Sequence, residues 1–132
     1  MVYKAAKNEV AQYNLGRCYR LGIGVEKNEV KAFNLFKKSA EQGYLNAKYR
    51  LGNCYDEGIG TEFNKNKAFG LYKIVAEQGN CDAQRSLAHL YENGEGIEKD
   101  LENAIYWYER AANSGCKEAE QSLNNLFFNM SN

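Results

Sequence analysis

The hydrophobic pattern is helical over short distances and repetitive over long ones. Ala11, Leu15 and Tyr19 step by four, with Gly16 and Cys18 beside them, and lay a narrow stripe of small and apolar side chains along one helix. The stripe returns at a spacing of 36 as Ala47, Leu51 and Tyr55, then as Ala83, Leu87 and Tyr91, and last as Ala119, Leu123 and Phe127. A broader apolar face alternates with it. The first copy carries Ala32, Phe33, Leu35, Phe36 and Ala40, and the third carries Ala104, Ile105, Trp107, Tyr108, Ala111 and Ala112. No segment shows the period-two alternation of a half-buried strand, so the pattern predicts an all-α chain of seven main helices.

The polar positions between the stripes repeat as well. Eleven of the twelve glycines recur in register, and only Gly70 stands outside. The stretch from Gly22 to Asn28 (GIGVEKN, then GIGTEFN and GEGIEKD) predicts a loop whose glycines take positive φ. It ends in Asn28, Asn64 and Asp100, each placed to cap a second helix. Gly43, Gly79 and Gly115 end the second helices, and Asn46 and Asp82 are expected to cap the next first helices. This frame divides a single domain, 1–132, into repeats 11–46, 47–82 and 83–118 and a partial repeat 119–132. Residues 1–10 read as the remnant of a preceding second helix, with Ala5 and Ala6 matching Ser39 and Ala40. One such helix pair cannot bury both of its faces. Stacked pairs can, which predicts an α-solenoid of antiparallel pairs stabilised by nearest neighbours.

The motif Ala-x3-Leu-Gly-x2-Tyr-x2-Gly-x-Gly, followed by an Asx, then Lys-Ala-x2-Leu-Phe or Ala-x2-Trp-Tyr, and finally Ala-Glu-Gln-Gly, resembles the Sel1-like repeat over residues 11 to about 128. The Gly-x-Gly loop and the 36-residue period separate it from the shorter tetratricopeptide repeat. The resemblance implies a right-handed superhelix with the first helices lining a concave face. It also implies an adaptor or scaffold role in assembling protein complexes, often as part of a larger protein, with no enzymatic activity of the repeats. Some bacterial members staple each repeat with a disulfide; the matching positions here are Ala40 and Lys48, and Ala76 and Gln84, so that subclass is not expected.

Charge and composition narrow the functions. Seventeen basic and seventeen acidic side chains give no net charge, which argues against nucleic-acid binding. No apolar run approaches the roughly eighteen residues of a membrane span, and no secretory leader is recognisable, so a cytoplasmic setting without a membrane partner is expected. Residues 1–66 hold 11 basic and 7 acidic groups, and residues 67–132 hold 6 and 10. That polarity, together with Leu126, Phe127 and Phe128 left without a following helix, predicts weak head-to-tail self-association.

Candidate chemistry is sparse. Cys18, Cys54, Cys81 and Cys116 form no Cys-x-x-Cys, and His89 is the only histidine, so free thiols, no metal site and no cofactor are expected. A Cys at 18 and 54 is replaced by Leu90 and Leu126 in later copies, as at a packing position. The Gly-x-Gly loops follow helices rather than strands and do not read as phosphate cradles. No nucleophile, base and orienting group converge, so no catalysis is expected.

What remains is recognition. With Ala11, Leu15 and Tyr19 committed to packing, the other face of the first helices offers Tyr13, Arg17 and Arg20, then Tyr49, Asn53 and Asp56, then Arg85, His89 and Glu92, and finally Gln121 and Asn125. This set varies between copies while the packing set does not. Its tyrosines and arginines suit a protein or peptide partner that offers carboxylates or backbone carbonyls. The alternative is a structural spacer or self-associating array without a specific ligand.

Overall fold

The structure, a computed structural model, describes residues 8–132. Among the described residues seven helices follow one another: α1 (Glu9–Leu21), α2 (Glu29–Glu41), α3 (Leu45–Glu57), α4 (Lys65–Glu77), α5 (Cys81–Asn93), α6 (Leu101–Asn113) and α7 (Lys117–Ser131). No strand occurs among the described residues. The expected remnant at Ala5 and Ala6 lies outside them, whereas Glu9 and Val10 already belong to α1.

The helix ends follow the glycine and Asx signals. Gly22, Gly58 and Gly94 adopt the left-handed conformation and return their N–H groups to the carbonyls of Cys18, Cys54 and Leu90. The side chains of Asn28, Asn64 and Asp100 accept from the backbone N–H three residues ahead, at 3.0, 3.0 and 3.1 Å. The expected caps of the first helices need correction. Asn46 and Asp82 lie inside α3 and α5, and the cap positions are Tyr44 and Asn80, two residues earlier. Gly43 and Gly79, at φ 92 and 93, turn the chain so tightly that the next helix starts at once. Asn80 accepts from the Ala83 N–H at 2.9 Å, while the Asn46 amide donates to the Tyr44 hydroxyl.

The chain forms two compact units, one ending at Leu71 and the other beginning at Tyr72. In the first, α2 packs against both α1 and α3. Ala32, Phe36, Cys54 and Ile59 form its buried cluster, with Tyr13, Tyr19 and Phe33 leaning on it. The small residues serve close approach: a Cβ on Gly16 would stand 2.8 Å from the Phe36 ring, and one on Gly60 would stand 2.1 Å from the Glu29 carbonyl oxygen. The loop of one repeat thus lies directly on the second helix of the repeat before it.

In the second unit, α6 packs against α5 and α7. Leu87, Leu90, Trp107 and Tyr108 are buried there, so Trp107 is a core residue as its register implies. Gln84 is buried and donates its amide to the Ala76 carbonyl at 3.1 Å, joining the two positions that a disulfide would staple in the cysteine-rich subclass. Leu126, expected to be uncovered, is only 3% exposed, because it shares the inward register of Leu90; Phe127 and Phe128 do face solvent.

Candidate partner-binding site

The first-helix face of the first unit brings charge together around an apolar wall. Arg17 and Arg20 of α1 and Arg50 of α3 line a pocket of about 250 Å³ with Leu21 and Phe36. Helical spacing sets this up, because Tyr13, Arg17 and Arg20 succeed one another on one side of α1. Arg17 is exposed and makes no ion pair among the described residues. Arg20 reaches the Glu57 carboxylate at 3.6 Å, a surface pair that holds its guanidinium only loosely.

Arg50 is held more firmly. Its Nε donates to the Tyr13 hydroxyl at 3.5 Å, and its guanidinium lies over the Tyr49 ring, 5.7 Å from the centroid. Tyr13 in turn packs edge-on against Tyr44 at 5.2 Å and tilts against Phe36 at 5.9 Å. Both tyrosines therefore position an arginine as well as offering surface. Asp56 is engaged elsewhere: Lys65 at the start of α4 pairs with its carboxylate and also donates to its backbone carbonyl at 2.8 Å. Asn53 is half-buried and has contacts of its own.

In the second unit the expected residues are more occupied with one another. Glu92 accepts from the Tyr108 hydroxyl at 2.8 Å, and burial followed by this carboxylate pushes the Tyr108 phenol upward. His89 is exposed, its ring nitrogen 3.0 Å from the Asn93 amide. Gln121 donates to Asn125 at 3.1 Å, one turn along α7. Arg85 is half-buried, with its Nε enclosed and unbonded.

The sequence reading missed Arg50. It stands one residue after Tyr49, at the edge of the stripe that a step of four selects, and its equivalents are Asn14 and Ser86. That variation was the available signal. Chemically, the arginine pocket can hold a carboxylate beside an apolar side chain, since guanidinium groups bind carboxylates in two-point geometry. Burial pushes the nearby Cys54 thiol up to about 12, which keeps it a packing group rather than a nucleophile.

Comparison with known proteins agrees with this architecture. The family model for the Sel1 repeat matches residues 9–44, 45–80 and 81–116, with the same 36-residue period in a frame two residues earlier than the one read from the stripes. A Sel1 repeat protein from Oxalobacter formigenes is 37% identical over 91% of this chain and 48% of its own, with a TM-score of 0.83. A protective antigen present in uropathogenic Escherichia coli strains, displaying an SLR fold, is 39% identical over 92% of this chain and 26% of its own, with a TM-score of 0.87. The chain thus spans less than half the length of either. Cysteine rich protein B of Helicobacter pylori, 24% identical over 92% of this chain and 94% of its own at a TM-score of 0.71, shares the fold. No curated protein matches the chain at a significant level. With three consecutive repeats matched and the helix pairs in place, the chain belongs to the Sel1-repeat family.

Proposed function

We propose that the chain is a protein-interaction module whose first-helix face binds an acidic segment of a partner protein, without chemistry of its own. Sel1 repeats are in general protein-interaction modules. The observation that carries the finer reading is the convergence of Arg17, Arg20 and Arg50 beside Leu21 and Phe36. A partner offering a carboxylate next to an apolar side chain would satisfy both halves of that pocket. The reading takes this face as the concave side that the family resemblance implies and sets the chain in the cytoplasm.

Affinity capture from the source cell tests it. Wild-type chain is compared with Arg17→Ala/Arg50→Ala and with an outer-face control, Lys38→Ala/Lys73→Ala, all of equal helix content. Loss of one partner with the arginine pair alone supports the assignment; loss with the lysine pair alone moves binding to the other face. The spacer or self-associating reading keeps one observation in its favour, the exposure of Phe127, Phe128 and Met130 on α7. Salt-sensitive dimerisation in sedimentation, with nothing else captured, would favour it.

A further inference from the structure

Two cysteines that are distant in sequence meet in the second unit. Cys81 is the first residue of α5, and Cys116 is the residue before α7, where Asn8 and Asn80 cap their helices in earlier copies. The Cys116 side chain caps nothing. The sulfurs of Cys81 and Cys116 and a carboxylate oxygen of Asp82 all lie within 4.8 Å of one another. Glu118, the repeat equivalent of Asp82, places an Oε2 3.9 Å from the Cys116 sulfur. Cys116 is buried, Cys81 half-buried and the two acids exposed, so the cluster is closed behind the sulfurs and open to solvent on the carboxylate side.

From this geometry we propose that Cys81, Cys116 and Asp82, with Glu118 as the fourth donor, form a binding site for a zinc-class divalent cation. Tetrahedral zinc with Zn–S bonds of about 2.3 Å separates two thiolates by about 3.8 Å, and the two sulfurs here already lie within 4.8 Å of each other. Two sulfurs with two carboxylate oxygens select a borderline dication, since calcium and magnesium prefer all-oxygen shells and copper(I) prefers sulfur. A dication held by two thiolates and two carboxylates leaves an anionic complex at the N-terminal ends of α5 and α7, where helix dipoles favour negative charge. The arrangement depends on the repeat. Positions 35 apart, rather than 36, set the last residue before one first helix against the first residue of another.

The experiment uses the whole chain, reduced, freed of metal and titrated with cobalt(II), then with zinc. One equivalent of cobalt should produce a thiolate-to-metal charge-transfer band, and zinc should abolish it by displacement. The band should be lost in Cys81→Ser and Cys116→Ser and kept in Cys18→Ser. Asp82→Asn, at an exposed position, should keep the band while weakening affinity at least about tenfold, the smallest loss that removing even an outer partner causes. Zinc should also raise the melting temperature of wild type and not of Cys81→Ser. No charge-transfer band in the reduced protein would overturn the site. So would a band that survives Cys81→Ser and Cys116→Ser, or cysteines that only pair as a disulfide on air oxidation while the reduced chain takes up no cobalt.

Discussion

Replacing Gly60 by alanine separates the two demands that the Gly-x-Gly loop makes on its second glycine. Gly60 and its equivalent Gly24 have φ of 69 and 72, so either substitution forces an L-residue into the left-handed region, costing about 1–2 kcal/mol. A Cβ at Gly24 meets nothing within 4 Å among the described residues. At Gly60 it would stand 2.1 Å from the Glu29 carbonyl oxygen and 2.9 Å from the Phe33 Cβ. Backbone cannot yield as a side-chain end can, so the loop must lift from α2. Lifting it partly exposes Ile59, now 7% exposed. Losing about half of such a side chain's burial adds roughly 0.8–1.5 kcal/mol, for a total of about 2–3.5. In urea, followed by far-ultraviolet circular dichroism, that excess separates the two variants by roughly 0.3–1.5 M in midpoint, given slopes of about 1–3 kcal/mol per molar. Equal midpoints for Gly60→Ala and Gly24→Ala would refute the close approach and leave backbone conformation as the only reason for the glycine.

The remaining predictions concern core and cap. Leu51→Ala, at a position 7% exposed, should cost roughly 2–5 kcal/mol, and Leu123→Ala, half-buried in α7, should cost less; denaturant midpoints in the reverse order would contradict the packing. Asp100 is held below the usual carboxylate range, first by the Asn103 N–H and then by the Asn103 side chain. A carboxyl with a depressed folded-state pKa stabilises the native state above its unfolded pKa and loses that contribution as the pH falls through the folded one. Between pH 5 and 3 wild type should therefore lose more stability than Asp100→Asn, which keeps the cap without the titration. Parallel loss in the two proteins would show that Asp100 is not responsible.

The fold was legible because each repeat states its helices several times over. A stripe at 11, 15 and 19 that returns three times leaves little room for another reading, and the Gly22 and Asn28 signals end and begin helices where the structure does. What escaped notice were features that depend on the distance between repeats. Asn46 was plausible as a cap, but Gly43 turns the chain in fewer residues than the Asx signal assumes. Gly60 read as a conformational need, and its contact with Glu29 joins two repeats. The site was half legible: Arg17 and Arg20 follow from helical spacing, whereas Arg50 enters through its contacts with Tyr13 and Tyr49, and Asp56 is drawn away by Lys65. The sulfur cluster escaped because four convergent Cys and His ligands were required of it, while carboxylates and a one-residue offset suffice to bring Cys81 and Cys116 together.

In the proposed function the arginine pocket of the first unit recognises acid beside apolar surface. Calorimetry with a partner segment obtained by capture tests it most directly. Affinity should fall as salt rises, drop at least about tenfold in Arg17→Ala/Arg50→Ala, a loss of about 1.4 kcal/mol, and stay unchanged in Lys38→Ala/Lys73→Ala. Binding that is insensitive to salt and to the arginine pair, with all variants folded, would contradict it.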